Sequence, residues 1–567
     1  MAGPTRDTTA GRVRDDLRNL ARRTSRSTDE VLVEYVLERF LYLLLTLNER
    51  HHQSSEQRAT RPDEKEERDA MTQQPVVSTA YGSVRGTLAE GEVAAFKGIP
   101  YAAPPVGALR FRPPEPPARW GGVREAGAYG PTAPKAPYAP PLDALLPEVD
   151  IPGDDFLNLN VWTPDTGGRL PVMVWVHGGG FVNGSGSAPV YDGTRFALHG
   201  VVLVTLNYRL GADGFLYLGD GASPNLGLLD QIAALEWVAG NIAAFGGDPG
   251  QVTVFGESAG AMSIGALLAT ERAAGLFHRA VLQSGAAHHV LTPDTAHRLG
   301  RHLAELLGVE PTRQALAAVP TGELVLAQRE LRGLTVADPE RWGEAALNLM
   351  PFEPVVDGAL LPTAPHAAIA AGAGAGVDLL LGSNSDEFRL FLTPNGVLDQ
   401  VTDAALHRAT AAYGLDPEEA LAVYRAARPG ATPGELLAAV ATDWFYRIPA
   451  VRLAEARTAH RAASAHLYEF AWRPPTYGGR LGACHAAEIP FVFDNLQEGS
   501  FAGILGTEPP GQLAEAMHRA WVSFATTGDP GWAPYDTATR PVMRFDTAPE
   551  LVHDPRGAER ALWEGRR

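Results

Sequence analysis

The chain has 567 residues, of which 45% are hydrophobic and 20% are charged, a composition typical of a globular protein that folds in water. Its formal net charge of −18 argues against nucleic acid as a partner. The single cysteine, Cys484, excludes a disulfide within the chain, and no Cys/His cluster has the spacing of a structural zinc site.

The first 70 residues differ in character from the rest. The first 25 are rich in Arg and Asp without an apolar core, so we predict no signal peptide and a cytoplasmic location. Residues 31–47 are apolar but include charged side chains and fall short of the about 20 residues that a membrane span needs, which predicts an amphipathic helix. A polar run follows at 48–70. We therefore expect a charged helical or disordered extension over 1–70 and one large globular domain over 71–567.

Beyond Met71, strand and helix patterns alternate along the chain. The predicted strands lie within 171–181, 201–210, 252–255, 279–285, 377–388 and 464–472. The predicted helices lie within 225–247 and 259–268, with mostly helical chain over 290–375 and further helices after 397. This alternation predicts an α/β fold with a mostly parallel central sheet, helices on both faces and a helical cover.

A Gly-Glu-Ser-Ala-Gly turn at 256–260 joins a predicted strand to a predicted helix. So tight a turn forces Ser258 into a strained backbone conformation, and glycines two residues to either side avoid clashes with the neighbouring strand and helix. The pattern is typical of a nucleophile elbow, which exposes the serine hydroxyl above the sheet. An ordinary Gly/Ser turn is the alternative, but the flanking strand and helix favour a nucleophile.

A histidine and three glycines, His177–Gly180, directly follow another predicted strand. Glycines let the backbone approach a substrate closely and turn N–H groups toward it. We expect the N–H groups of Gly179, Gly180 and Ala259 to form an oxyanion hole. The alternatives are a flexible turn and a phosphate-binding loop, and the latter would need a Gly-Lys-Ser/Thr ending that is absent.

A nucleophilic serine also needs a base and an orienting acid. Of the 16 histidines, we take His485 as the candidate base, because it lies in a loop between Gly482 and an apolar run that resembles a strand. A packing or surface role is the alternative. Asp386 and Glu387 follow a buried strand, and the residues alone leave open which of the two is the acid. The order serine, acid, histidine is the one expected of this hydrolase architecture.

Eight motifs together identify a family resemblance. They are FKGIPYAAPPVGALRFRPP, LNLNVWTP, VHGGGFVNGSG, NYRLGADGFL, NLGLLDQIAALEWVAGNIAAFGGDP, VTVFGESAGA, GSNSDEF and GACHAAEIPFVF. From residue 75 to about 560 the chain closely resembles the type-B carboxylesterases, which include cholinesterases and bacterial p-nitrobenzyl esterases. The resemblance implies an α/β-hydrolase fold and ester hydrolysis through an acyl-enzyme, with no metal or organic cofactor. It implies Ser258 as nucleophile, His485 as base and Glu387 as acid, since the family's acid is the second carboxylate of the Asp-Glu pair.

Four positions bear on that resemblance. Phe156 and Ala133 stand where the family often has two disulfide-bonded cysteines, in agreement with the single cysteine of this chain. Phe388 replaces a glycine that is common after the Asp-Glu pair, and we expect it to crowd the gorge. Glu257, next to the nucleophile, is either an electrostatic support or simply a residue that the turn tolerates.

We therefore predict a serine carboxylesterase with broad small-to-medium ester substrates, active as a monomer or weak dimer, with neither nucleic acid nor a membrane span. The same triad could instead cleave amides, carbamates or thioesters, because pocket shape decides among them. A non-catalytic cholinesterase-like binding protein fits less well, since such relatives lose triad members. Residues 17–44 resemble the N-terminal helices of abortive-infection nucleotidyltransferase toxins, and we assign them no chemistry.

Overall fold

The computed structural model describes residues 74–146, 148–460 and 462–567. The predicted extension over 1–70, including the helix predicted at 31–47, lies outside the described residues. Within the described ranges, no helix combines the length and the apolar character needed to cross a bilayer.

The strands belong to two sheets. In chain order they are β1 Val76–Ser78, β2 Ser83–Arg85, β3 Thr87–Leu88, β4 Ala94–Pro100, β5 Val123–Glu125, β6 Asn158–Thr163, β7 Leu170–Val176, β8 Val202–Leu206, β9 Gly247–Glu257, β10 Arg279–Gln283, β11 Asp378–Asn384, β12 Ala465–Phe470, β13 Pro541–Phe545 and β14 Glu550–His553. Eleven of them form the central sheet in the order β14-β13-β12-β11-β10-β9-β7-β8-β6-β4-β3, while β1, β2 and β5 form a small second sheet.

The central sheet is parallel in its middle and antiparallel at both ends. Every neighbouring pair from β8 to β13 is parallel, whereas β8-β6, β6-β4, β4-β3 and β13-β14 are antiparallel. Parallel strands need crossover connections, which place helices on the two faces of the sheet. The predicted mostly parallel sheet is confirmed.

Helices occupy the connections. They are α1 Thr194–Leu198, α2 Gly211–Phe215, α3 Leu226–Asn241, α4 Ala259–Leu268, α5 Pro293–Leu306, α6 Arg313–Ala317, α7 Thr321–Ala337, α8 Pro339–Trp342, α9 Glu344–Asn348, α10 Pro365–Ala370, α11 Arg389–Leu392, α12 Asp403–Ala412, α13 Pro417–Ala427, α14 Pro433–Thr442, α15 Ile448–His460, α16 Ile489–Val492, α17 Ala502–Leu505, α18 Gly511–Thr527 and α19 Gly557–Leu562. The predicted helical chain over 290–375 corresponds to α5 through α10.

Strand β7 shows why both faces of the sheet are covered. Alternate side chains of a strand point to opposite faces. Val172, Val174 and Val176 join a core that includes side chains of α3, α4 and α15, whereas Met173 and Trp175 join a second core that includes side chains of α1 and α18. Because both sides of the strand are apolar, each face of the sheet must be covered by helices.

Two element boundaries differ from the sequence prediction. The strand predicted over 201–210 ends at Leu206, because the chain then turns to place Arg209 in a buried ion pair with Asp230, at 2.6 Å between Nη2 and Oδ1. The strand-like run after His485 is the short helix α16, which packs against α18. Its second residue is proline, which suits the first turn of a helix.

Candidate active site

Ser258 occupies a strained turn between β9 and α4. Its backbone has φ 56° and ψ −123°, a region that residues with a side chain rarely adopt. The Ser258 N–H donates to the carbonyl of Gln283 at 2.9 Å, which ties the turn to the end of β10. The surrounding fold therefore holds the serine in the conformation expected of a nucleophile elbow.

The glycines beside the serine pack directly on β7. A Cβ atom on Gly256 would lie 2.5 Å from the carbonyl oxygen of Val176, and a Cβ on Gly260 would overlap the same oxygen. Neither position can therefore carry a side chain without moving the strand or the helix. This is the steric reason for the glycine spacing that the sequence pattern indicated.

His485 and Glu387 form a buried hydrogen-bonded pair beside this turn. The distance from His485 Nδ1 to Glu387 Oε2 is 2.7 Å, and the N–H of Asn384 donates to the other carboxylate oxygen at 2.8 Å. The backbone N–H of His485 donates to the Glu387 carbonyl at 3.1 Å. With Nδ1 carrying the proton given to Glu387, Nε2 is the free acceptor of a neutral imidazole.

Asp386, the other candidate acid, faces a different set of partners. Its carboxylate lies 3.2 Å from Arg389 Nε and 3.0 Å from Arg473 Nη2, and it accepts a hydrogen bond from Ser385. The two neighbouring acids therefore point to different sides, as expected, and Glu387 is the one that contacts His485.

Glu257 lies on the other side of the imidazole. Its Oε1 is 3.0 Å from His485 Nε2, at an angle that does not make a hydrogen bond. Burial by itself lowers the pKa of His485, but the Glu257 carboxylate and the hydrogen bond to Glu387 more than offset this and raise it to about 9. Burial raises the pKa of the Glu257 carboxyl well above its usual range. The pair therefore competes for one proton at neutral pH.

The described side chains include no hydrogen bond from Ser258 Oγ to His485, because Nε2 faces Glu257. Catalytic hydrogen bonds are often long or misaligned before substrate binds. Proton transfer from Ser258 would require the two side chains to come within hydrogen-bond distance.

The glycine-rich turn after β7 presents free N–H groups to the serine. Gly179 and Gly180 have φ values of 112° and 60°, and neither N–H is hydrogen-bonded within the described chain. A Cβ on Gly178 would lie 3.2 Å from the Ser258 Cβ, so the turn packs against the elbow. Ala259 opens α4, where the first N–H groups have no acceptor within the helix. Gly179 and Gly180 line the same cavity as Ser258, and Ala259 directly follows the serine.

His177, which begins this turn, has a structural role. Its Nδ1 lies 2.8 Å from the Gly178 carbonyl, and its ring stacks on Tyr208 at 4.5 Å. Burial lowers the pKa of His177 to about 3, so the ring stays neutral. Its contacts hold the shape of the glycine turn.

Sequence reasoning missed a second acid behind the first. Glu488 accepts hydrogen bonds from Gln283 at 3.1 Å and from the Asn384 amide at 2.7 Å, and Asn384 also donates to the Cys484 carbonyl. Burial raises the pKa of Glu488. A carboxylate inside the apolar run after His485 was the available signal, because a buried charge needs dedicated partners.

A turn of π-helix also contributes to the site and carries no sequence signal. It spans Asp443–Arg447 between α14 and α15. The ring of Tyr446 lies 4.8 Å from the His485 ring, and Phe391 packs against the same imidazole at 5.4 Å. Such turns are rare and frequent at functional sites.

These groups open into a cavity of about 490 Å³ that reaches Ser258 and His485. Its wall is largely apolar and aromatic, with Val325, Leu349, Met350, Phe388, Phe391, Phe445 and Phe501 among the lining residues. Phe388 lines the cavity as expected and packs 5.2 Å from Phe445. Among the described residues, no group of three or more His, Cys, Asp or Glu side chains is arranged to hold a metal ion. A strained serine, a paired histidine and free N–H donors in an apolar cavity are the parts that acyl transfer requires.

Comparison with known proteins gives one consistent result. The sequence model described as the Carboxylesterase family matches residues 73–563. The para-nitrobenzyl esterase of Bacillus subtilis (strain 168) is 41% identical over 514 residues, which cover 86% of this chain and 98% of that protein. Phenmedipham hydrolase of Pseudarthrobacter oxydans is 37% identical over 512 residues, covering 86% and 97%. Among solved structures, the Geobacillus stearothermophilus carboxylesterase EST55 at pH 6.2 superposes with a TM-score of 0.76 at 40% identity, covering 86% of this chain and 99% of that one.

Proposed function

Because this chain belongs to the carboxylesterase family and is a carboxylic ester hydrolase, we propose that it cleaves esters through an acyl-enzyme formed on Ser258. His485 is the base and Glu387 is the acid that orients it. The observation that carries the proposal is the 2.7 Å hydrogen bond between these two buried side chains, in the cavity that also contains the elbow serine.

In the first step, the ester carbonyl is attacked. The Ser258 Oγ forms a bond to the carbonyl carbon while its proton passes to His485 Nε2. Glu387 fixes the tautomer of the imidazole and stabilises the imidazolium that forms. The tetrahedral oxyanion accepts hydrogen bonds from the N–H groups of Gly179, Gly180 and Ala259, and each such donor typically contributes on the order of 3 kcal/mol.

In the second step, the ester bond breaks and the enzyme is regenerated. The carbon–oxygen bond to the alcohol is cleaved, and the leaving oxygen takes the proton from His485. Water then gives its proton to His485 and attacks the acyl carbon. The carboxylic acid leaves as the proton returns to Ser258 Oγ, so the enzyme is regenerated and one water is consumed per ester.

The cavity supports small-to-medium acyl and alcohol groups as substrates. Its volume of about 490 Å³ is within the range of small-molecule sites, and its wall is mostly apolar. Glu257 acts as an electrostatic support, because its carboxylate lies within 3.0 Å of the imidazole that becomes charged.

Hydrolysis of p-nitrophenyl esters from C2 to C12 by the wild type and by Ser258→Ala tests the proposal. We expect the wild type to cleave short and medium chains, and the variant to lose activity by on the order of 10⁴-fold or more. Release of p-nitrophenol, followed by absorbance, measures both. A folded Ser258→Ala protein as active as the wild type would refute the assignment of the nucleophile.

A further inference from the structure

One helix of the cover presents two arginines to the cavity. Val325, Gln328, Arg329 and Arg332 of α7 all line it. Their spacing of three and four residues places them on one face of the helix. An otherwise apolar wall thus receives cationic side chains from a single element.

Arg332 is partly buried and has no partner among the described residues. It makes no hydrogen bond or ion pair with any residue that the structure describes, and its Nε is wholly buried without an acceptor. Tyr138, another lining residue, is the one titratable group near enough to affect its pKa, which burial lowers. A guanidinium remains charged in proteins, so this charge faces the cavity without compensation.

The acids that line the cavity are engaged elsewhere. Glu148 accepts the Gly184 N–H at 2.9 Å and lies 3.8 Å from Lys135 Nζ, so it pairs with the lysine of this wall. Glu257 faces His485, and Glu498 accepts hydrogen bonds from Ser500. No carboxylate of the described chain is therefore available to neutralise Arg332.

We propose that Arg332 forms an anion subsite in the catalytic cavity, which binds the free carboxylate of an ester substrate. The substrate class is an ester that carries a second, unesterified carboxylate, such as the monoester of a dicarboxylic acid. The inference rests on the proposed function, since it places the carboxylate in the cavity that holds Ser258. A guanidinium and a carboxylate match as two parallel N–H···O bonds, which are short and strong.

The subsite gives selectivity between charged and neutral esters of one size. A carboxylate entering a mostly apolar cavity loses its hydration, and Arg332 replaces the lost hydrogen bonds. A neutral ester leaves the guanidinium unpaired. The ratio of kcat/KM for the carboxylated ester to that for its neutral match therefore reports the subsite and cancels effects common to both substrates.

The experiment measures this ratio for two matched pairs. In the first pair, p-nitrophenyl hydrogen adipate carries a carboxylate in its acyl group and p-nitrophenyl hexanoate does not. In the second pair, 4-carboxyphenyl butyrate carries a carboxylate in its alcohol group and 4-acetylphenyl butyrate does not. Rates with Ser258→Ala give the uncatalysed background. The substrate pair whose kcat/KM ratio changes in the Arg332 variant identifies the side of the ester that Arg332 contacts.

We expect Arg332→Met to lower the ratio for one pair by about 10- to 100-fold, the usual effect of a hydrogen bond to a charged group. Arg332→Lys retains the charge but cannot form the two parallel hydrogen bonds of a guanidinium. Its ratio should therefore lie between those of the wild type and Arg332→Met. Arg301→Met removes the same charge from the exposed surface of α5 and should leave the ratio unchanged. If Arg332→Met does not fold, Arg332→Gln takes its place.

An unchanged ratio for both pairs in folded Arg332→Met would overturn the inference and leave the esterase proposal standing. A wild type that cleaves none of the four esters would refute the proposed function instead. In that case, calorimetric titration with monomethyl adipate tests the subsite directly. Tighter binding by the wild type than by Arg332→Met supports the subsite, and equal binding overturns it.

Discussion

The protonation of one buried pair sets the pH at which the imidazole can act as a base. Glu257 and His485 lie 3.0 Å apart, and each has a raised pKa. The carboxylate of Glu257 is the largest contribution that raises the pKa of His485, against a burial effect that lowers it. Since the base must be neutral, the acidic limb of the pH–rate profile reports the loss of this proton.

We predict that Glu257→Gln moves the acidic limb of kcat/KM to lower pH. Removing the carboxylate removes the contribution that favours imidazolium, so His485 loses its proton at a lower pH. The plateau should fall about tenfold, because the same carboxylate supports the imidazolium formed in the transition state. Steady-state kinetics with p-nitrophenyl butyrate across pH 5 to 10, flanking the value of about 9, measure both effects.

Asp386→Asn is the matched control for this prediction. It removes a carboxylate from the loop that carries Glu387, but one that faces Arg389 and Arg473. Its acidic limb should coincide with that of the wild type. A Glu257→Gln limb that stays in place or moves to higher pH would contradict the electrostatic role of Glu257.

Residue types and spacing were enough to find the candidate site residues that surround Ser258, although their catalytic roles remain predictions. The choice of Glu387 over Asp386 needed the family resemblance, because adjacent carboxylates are equivalent in the sequence. Arg332 was missed altogether. Whether Arg332 has a partner depends on which other side chains reach the cavity, and the helical pattern of the sequence does not contain that information.

At the scale of elements, the π-helical turn between α14 and α15 depends on a buried ion pair. Arg447 Nε lies 2.5 Å from Asp443 Oδ1, and the Tyr424 hydroxyl donates to the other carboxylate oxygen at 2.6 Å. Both charged side chains are almost fully buried. Since the same turn places Tyr446 against His485, the ion pair links the stability of this element to the shape of the site.

We predict that Arg447→Met lowers the free energy of unfolding by about 3–5 kcal/mol, because it leaves a buried carboxylate without its cation. Denaturant unfolding followed by circular dichroism measures the loss. Arg425→Met breaks an exposed ion pair with Asp403 on a neighbouring helix and should change stability little. Equal losses in the two variants would contradict the argument from burial.

The elements that the sequence predicted correctly are those buried on both sides. The central strands read as continuous apolar runs, and α4 was predicted with its observed bounds, Ala259–Leu268. The antiparallel strands at the ends of the sheet, such as β4 and β14, were not predicted. The register of β4 shifts between Phe96 and Ile99, and β14 is mostly exposed, so neither gives a regular apolar pattern in the sequence. The π-helical turn arises from tertiary packing, which local propensity does not encode.

At the scale of the whole molecule, we propose that residues 71–567 form the esterase unit without help from 1–70. The family match begins at residue 73, and the first described strand begins at Val76. A chain that starts at Met71 should keep the melting temperature and the kcat/KM of the full chain within about twofold. Thermal unfolding and p-nitrophenyl butyrate kinetics on the two proteins make the comparison. A large loss of either would show that the extension belongs to the working enzyme.

The three residues of the proposed triad follow different strands of the central sheet, and those strands are far apart along the chain. Ser258 follows β9, Glu387 follows β11, and His485 comes after β12. On the proposed mechanism, a ribosome must translate beyond His485 before Ser258 can acquire its base, and every shorter nascent chain should be inert. The same separation makes the protein suited to division into two fragments, cut in an exposed connection such as the one near Gly430. If each fragment were fused to one of two interacting proteins, hydrolysis of a chromogenic ester would report the association of those two proteins.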